Sequence, residues 1–203
     1  MRNSHYIPDI VIVFCCFLFA GCRHGLTQEE LMQYILVSKH GLLKNAEINR
    51  LKITSFYKPQ VLIAFQELKQ SGDINNAAIK DSIVSHYMNY LYFIVSFSVE
   101  NGEFLNTFRY NENLYEEAIE FLSFGIKEKT EIMLDDGKSL ECLASFSQGY
   151  GNPGRNEVLF VFENKLQDCN YFYFTIHPNK FIKYSIKLEY NTKDIKKIPG
   201  LIL

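Results

Sequence analysis

The chain has 203 residues, 47% of them hydrophobic and 22% charged, with a formal net charge of −2 at pH 7. Those figures suit one globular domain, or two at most, with enough apolar side chains for a core. With 21 Lys and Arg against 23 Asp and Glu and no basic run, the chain lacks the electrostatic footprint of a nucleic-acid binder. Gly at 11, Pro at 5 and aromatics at 15% exclude collagen-like and low-complexity chains.

Arg2 and the amino terminus precede an unbroken apolar run from Ile10 to Ala20. The run is too short to cross a hydrocarbon core of about 30 Å, which takes about 20 residues, and it fits the apolar region of a secretory signal. It leads into Phe19-Ala20-Gly21-Cys22. This tetrapeptide resembles the lipobox of bacterial lipoproteins, in which a hydrophobic residue, two small residues and a cysteine direct lipidation of that cysteine and cleavage before it. Phe19 stands where Leu is commoner, with Leu18 beside it. The resemblance implies a signal peptide over 1–21 that takes Cys15 and Cys16 with it. It also implies a mature chain attached to the membrane through a diacylglycerol thioether and an N-acyl chain on Cys22. At about 0.8 kcal/mol per buried methylene, more than one chain gives stable anchoring. Arg23 follows the cysteine, where some lipoprotein families carry an aspartate for inner-membrane retention, so an outer-membrane anchor facing the periplasm is expected.

Thr27-Gln28-Glu29-Glu30 reads as a capping box. Only Arg23 to Leu26 separate it from the anchor, which at about 3.4 Å per residue keeps the domain within about 15 Å of the headgroups. The following periodicity predicts a helix from Gln28 to about Ser38 with Leu31, Ile35 and Leu36 on one face and Gly41 as its left-handed cap. A strand is predicted over Ile48–Tyr57, then a helix after Pro59 carrying Val61, Leu62, Phe65 and Leu68. A second helix is expected over Asn76–Met88 with Ile79, Ile83 and Tyr87 in one stripe. Tyr90–Val99 reads as a strand buried on both faces, and Asn113 with Glu116 as the cap of a third amphipathic helix.

After residue 125 the helical period is lost. Runs at Glu128–Leu134, Ser139–Phe146, Glu157–Glu163, Tyr171–His177 and Tyr184–Tyr190 are separated by turn chemistry at Asp136-Gly137, Gly149 to Gly154 and Pro178-Asn179. The expected fold class is α+β: a helix-rich half over 22–125 with one or two strands, and an antiparallel β-sandwich-like half over 126–203. No linker composition marks the boundary, so 22–203 as one compact domain stands beside two units.

Catalytic signatures are missing: the sequence holds no GxSxG, HExxH, GK[ST] phosphate loop or CxxC pair. His24, His40, His86 and His177 are scattered, never at the spacing that puts two on one helical face, so no metal and no cofactor are expected. Asp135-Asp136-Gly137-Lys138 reads as a hairpin turn, since calcium loops place acidic residues at alternate positions. The glycine-rich loop Ser147–Asn156, with Tyr150 and Arg155, is the candidate ligand loop, its alternative being a solvated connection. Cys142 and Cys169 are the thiols left to the mature fold. They either pair, which would contribute about 3.5 kcal/mol in the chain-entropy model, or pack as two small apolar groups. Cys142 shares strand parity with Leu140, Ala144 and Phe146 and is expected to point inward. Tyr171-Phe172-Tyr173-Phe174 is either core or a stacking platform for a ligand.

The segments Tyr57-Lys58-Pro59 to Gln66-Glu67-Leu68, Tyr90-Leu91-Tyr92-Phe93, Val158-Leu159-Phe160-Val161-Phe162 and the ending Ile198-Pro199 resemble a group of uncharacterised bacterial lipoproteins. That resemblance carries no site residue over. The leading expectation is a non-enzymatic interaction or accessory module of the cell envelope, anchored through Cys22 and meeting an envelope protein partner. The alternatives are a binder or carrier of a small apolar or glycan ligand, and a hydrolase with a dispersed site.

Overall fold

The computed structural model describes residues 25–72, 76–100, 102–146 and 154–202. Thr27 caps α1 (Gln28–Leu36): the Glu30 amide donates to its hydroxyl at 3.3 Å, and the Thr27 amide donates to the Glu30 carboxylate at 2.9 Å. This exchange satisfies two donors orphaned at the helix start. α1 buries Leu31 and Ile35 but leaves Leu36 47% exposed, so the third member of the predicted face turns to solvent. Gly41 closes a 3-10 turn over Ser38–His40 with φ 74°, not α1 itself. A Cβ at that position would meet Asp194 Oδ2 at 2.4 Å, so both backbone and space require glycine.

β1 (Leu43–Ile48) and β2 (Leu51–Lys58) form a hairpin through Asn49, whose φ is 58°. Pro59 precedes α2 (Gln60–Ser71), which buries Leu62, Ala64 and Leu68 while Val61 and Phe65 stay half-buried. α3 (Ala77–Met88) starts where the Ile79 amide donates to the Asn76 side chain at 3.3 Å and lies back on α2. β3 (Tyr90–Val99) follows, then β4 (Gly102–Glu103) and a 3-10 segment, Phe104–Phe108. α4 (Glu112–Glu120) takes its cap from Asn111, two residues before the expected Asn113; Asn111 accepts from the Leu114 amide at 3.1 Å. Helical backbone continues through a wide turn, Phe121–Gly125, and a 3-10 turn, Ile126–Lys129, into β5 (Thr130–Leu134). The remaining elements are β6 (Ser139–Phe146), β7 (Asn156–Glu163), β8 (Tyr171–Ile176), β9 (Ile186–Asn191) and α5 (Thr192–Lys196).

The strands make one antiparallel sheet in the order β1-β2-β3-β7-β6-β5-β8-β9, with β4 on β3. Its two halves meet where β3 pairs with β7, from Tyr90 opposite Glu163 to Phe97 opposite Asn156. The α+β class holds, but the sandwich does not: the sheet curls until edges β1 and β9 approach. Nor are the helices gathered in the first half, since they are interspersed among strands and α5 follows β9. The physical reason is that the strands carry an apolar row toward one side, and rows from both halves bury one another only when the sheet wraps around them; β3, at the centre, is buried on both faces as expected, with Tyr92 and Ser96 covered opposite Phe93 and Phe97.

That interior is solid. Phe93 on β3 packs within 5.2–6.0 Å, ring to ring, of Tyr57, Phe162, Phe172, Phe174 and Tyr190. The Tyr190 hydroxyl donates across the curl to Ser55, with Oγ at 2.8 Å and the carbonyl at 3.0 Å. Burial pushes the Tyr190 phenol well above its ordinary range, so it remains a neutral donor. Cys142, Ala144 and Phe146 lie opposite the inward Phe162, Phe160 and Val158, as strand parity predicted. Phe172 and Phe174 are core, whereas Tyr171 and Tyr173 form an edge-to-face pair on the outer side at 5.6 Å.

Candidate functional site

Among the described residues aromatic rings fill the barrel interior, and a groove opens at one end. This groove, of ≈ 450 Å³, lies where β2 ends and β3 begins, between the start of α2, the loop after β7 and the segment from α5 to Leu201. Its polar lining is largely spent on the fold. The Tyr57 hydroxyl donates to Gln60 Oε1 at 2.7 Å, and Gln60 Nε2 donates to the Tyr90 carbonyl at 2.9 Å. What the groove presents is Val61, Met88, Leu91, Ile195, Ile198 and Leu201, with Lys196 at the margin. Thr192 lines it as well, its buried hydroxyl beside the Cys169 thiol.

One wall of this groove joins residues near the two ends of the chain. Leu26 and Leu201 pair in a one-residue parallel bridge: the Leu26 amide donates to the Gly200 carbonyl at 2.7 Å, and the Ile202 amide donates to the Leu26 carbonyl at 2.9 Å. A Cβ on Gly25 would lie 3.0 Å from the Gly200 carbonyl, so the close approach favours glycine. Residues 25–26, which follow the predicted anchor, are therefore held against the groove.

Cys22 and Tyr150 lie outside the described residues. Arg155 pairs with Glu157 at 2.9 Å, and Glu157 also accepts from the Ser96 hydroxyl at 3.0 Å. By strand register Arg155 stands at the end of the barrel away from Leu26, so the structure does not bring the candidate loop's cation to the groove. The pairing of Cys142 with Cys169 is not formed. The Cys142 thiol lies 3.5 Å from the carbonyls of Lys127 and Thr130, before and at the start of β5, while Cys169 donates to the Tyr171 carbonyl at 3.0 Å, beyond its end. Five residues of strand separate those levels, about 16 Å at about 3.3 Å per residue, whereas a bridge needs Cα atoms within about 7 Å. Burial pushes the Cys142 thiol up to about 12 and raises that of Cys169, so neither is an activated nucleophile.

One cluster of acid–base residues was not visible in the sequence. Strand pairing sets Glu131 beside Ser139 and His177: the Ser139 hydroxyl donates to one carboxylate oxygen and His177 Nε2 lies 2.8 Å from the other. The Ser139 bond, opposed by partial burial and supported by His177, holds the Glu131 carboxyl below its usual range. Both partners reach the carboxylate and not each other, so the wiring differs from a Ser-His-Asp triad, in which the serine bonds the imidazole. Asp135 is held by the Asn170 amide at 2.8 Å and Asp136 by Lys138 at 2.7 Å, around the left-handed Gly137 of the expected hairpin turn. Among the described residues no group of three or more His, Cys, Asp or Glu is placed to hold a metal, and no helix is long and apolar enough to cross a membrane.

No protein-family model matches the sequence, and no curated protein matches it. A similar solved structure is that of a novel protein of unknown function from Burkholderia pseudomallei K96243, at 12% identity and a TM-score of 0.37, covering 80% of this chain and 89% of that one.

Proposed function

We infer that the chain is a lipid-anchored, non-enzymatic accessory module of the cell envelope, tethered through Cys22 in the outer membrane and facing the periplasm, where it meets an envelope partner. The observation that carries the reading is the Leu26–Leu201 bridge, which clamps the residues next to the lipobox onto the barrel. A tether clamped in this way orients the domain. The groove end is turned to the headgroups and the Arg155 end outward.

Cys22→Ala tests the anchor. The wild-type chain made with its own signal is expected in the membrane fraction with the added mass of acyl chains, and the variant without either. An unchanged intact mass for membrane-purified wild type would overturn the reading. Crosslinking in intact cells is expected to recover a stoichiometric envelope protein through residues at the outward end. A second reading, binding of a small apolar ligand, is favoured by one observation: the apolar groove of ≈ 450 Å³, a size ordinary for small-molecule sites.

A further inference from the structure

The groove combines an apolar wall with a cationic margin. Buried Leu91 and Leu166 line it together with half-buried Ile195 and Ile198 and exposed Met88. Lys196 stands at the edge, with Lys193 and Lys197 close by in sequence. All three lysines are exposed, and none enters an ion pair among the described residues. Gln60 has both ends of its amide engaged, Oε1 by the Tyr57 hydroxyl and Nε2 by the Tyr90 carbonyl, so the free charge at the groove is that of the lysines. A hydrocarbon chain that ends in an anion complements this arrangement: methylenes against the wall, negative charge at the lysines. The Leu26–Leu201 bridge holds Leu26 against the groove-lining Gly200 and Leu201, so an anchor on Cys22, four residues earlier in sequence, would keep the groove near a bilayer surface that presents such chains at high local concentration.

We propose that the groove takes one acyl chain of an anionic bilayer phospholipid, with the lipid phosphate at Lys196 and its neighbouring lysines. The proposal rests on the anchored reading above, which brings the groove to the headgroups, and it names the ligand class of the apolar-binder reading. The protein then does more than hang from the membrane. It withdraws part of a lipid from it.

The test uses the full chain, made with its own signal and reconstituted into phosphatidylcholine vesicles that contain phosphatidylglycerol with a diazirine on one acyl chain. After photolysis, label is expected on Val61, Met88, Ile195 and Leu201, with competition by unlabelled phosphatidylglycerol and none by palmitate. Ile195→Glu is expected to reduce groove labelling about tenfold, because it places a carboxylate against the wall. Lys196→Glu should reduce it about fivefold, and Ile195→Met should retain it, which separates lost binding from lost folding. Label spread evenly over Phe124, Leu143 and the groove would overturn the proposal, as would equal competition by palmitate, which assigns the groove to free fatty acids. Flotation and intact mass of the same sample report the anchor separately. An acylated, floating protein with an unlabelled groove defeats this proposal alone, whereas an unacylated protein that still labels in the groove defeats only the anchored reading.

Discussion

The two ends of the barrel are finished differently. At the end where β3 stops, the 3-10 segment Phe104–Phe108 supplies rings that continue the core: Phe97, Phe104, Phe108, Phe181 and Phe121 succeed one another at 5.2–6.2 Å. Asn156, buried at the start of β7, accepts from the Leu105 amide at 2.9 Å and fixes that segment. The end where β3 begins has no such ring plug; the α5-to-Leu201 segment lies over it and leaves the groove. Stability is concentrated in the interior and at the ring-filled end; at the groove end Tyr57, Gln60 and Leu91 are buried with the core, and the half-buried or exposed Val61, Met88, Ile195 and Ile198 are the side chains free to carry binding.

The largest effect that could break this contrast is in the barrel centre. Phe93→Ala removes the ring shared by five aromatic neighbours and is expected to cost about 3–5 kcal/mol in denaturant unfolding, while Val61→Ala in the groove should cost below about 1 kcal/mol. Comparable losses would erase the distinction. Next comes the pin at the ring-filled end. Asn156→Ala strands the Leu105 amide and should cost about 1–3 kcal/mol, with the earliest hydrogen-exchange deprotection in Phe104–Phe108. Tyr190→Phe loses the bonds that span the curl to Ser55 and is expected to cost about 1 kcal/mol, read from the same unfolding curves.

Smaller effects sharpen the contrast on the outer face. Glu131 has a lowered pKa in the folded state, so its stabilising contribution is present above the ordinary carboxylate range and is lost as pH falls through the lowered value. Tm should therefore fall more steeply on acidification for the wild type than for Glu131→Gln; parallel curves would remove the Ser139–Glu131–His177 cluster from the account. Smallest of all, iodoacetamide at about pH 8 should leave Cys142 unmodified in the folded chain, since burial holds its thiol at about 12. Both Cys142 and Cys169 should react after denaturation without reductant.

Local chemistry in the sequence predicted much of the secondary structure. Thr27 and Glu30 cap α1 as their spacing requires, Pro59 precedes α2, and in the run Tyr184–Tyr190 the residues Ile186, Leu188 and Tyr190 face inward against exposed Lys187 and Glu189, whereas Tyr184, of the same parity, is exposed and precedes β9. β1 escaped notice because Lys44, Asn45 and Glu47 give Leu43–Ile48 the look of a solvated loop, and its strand character comes from pairing with β2. Asn113 with Glu116 has the capping-box spacing, yet α4 starts two residues earlier, where the Asn111 side chain takes the Leu114 amide. Periodicity marks which face of a strand is apolar and is silent on which strand it meets, so the β3–β7 pairing that turns two halves into one curl was not legible. The groove was hidden for the same reason. Its wall comes from the α2 start, the end of α3 and the start of β3, the loop after β7 and the α5-to-Leu201 segment, none of which carries a motif.

The Leu26–Leu201 bridge also makes the fold almost ring-shaped in its covalent path. A short linker from residue 202 to residue 25, with new termini opened at the exposed turn Asp136-Gly137, should give a circular permutant that keeps the sheet order. Such a permutant, lipidated at its new terminus, would hang from the β5–β6 turn. On the proposed anchoring, the side of the barrel turned to the bilayer would thus be set by where the backbone is cut, independently of the sheet itself.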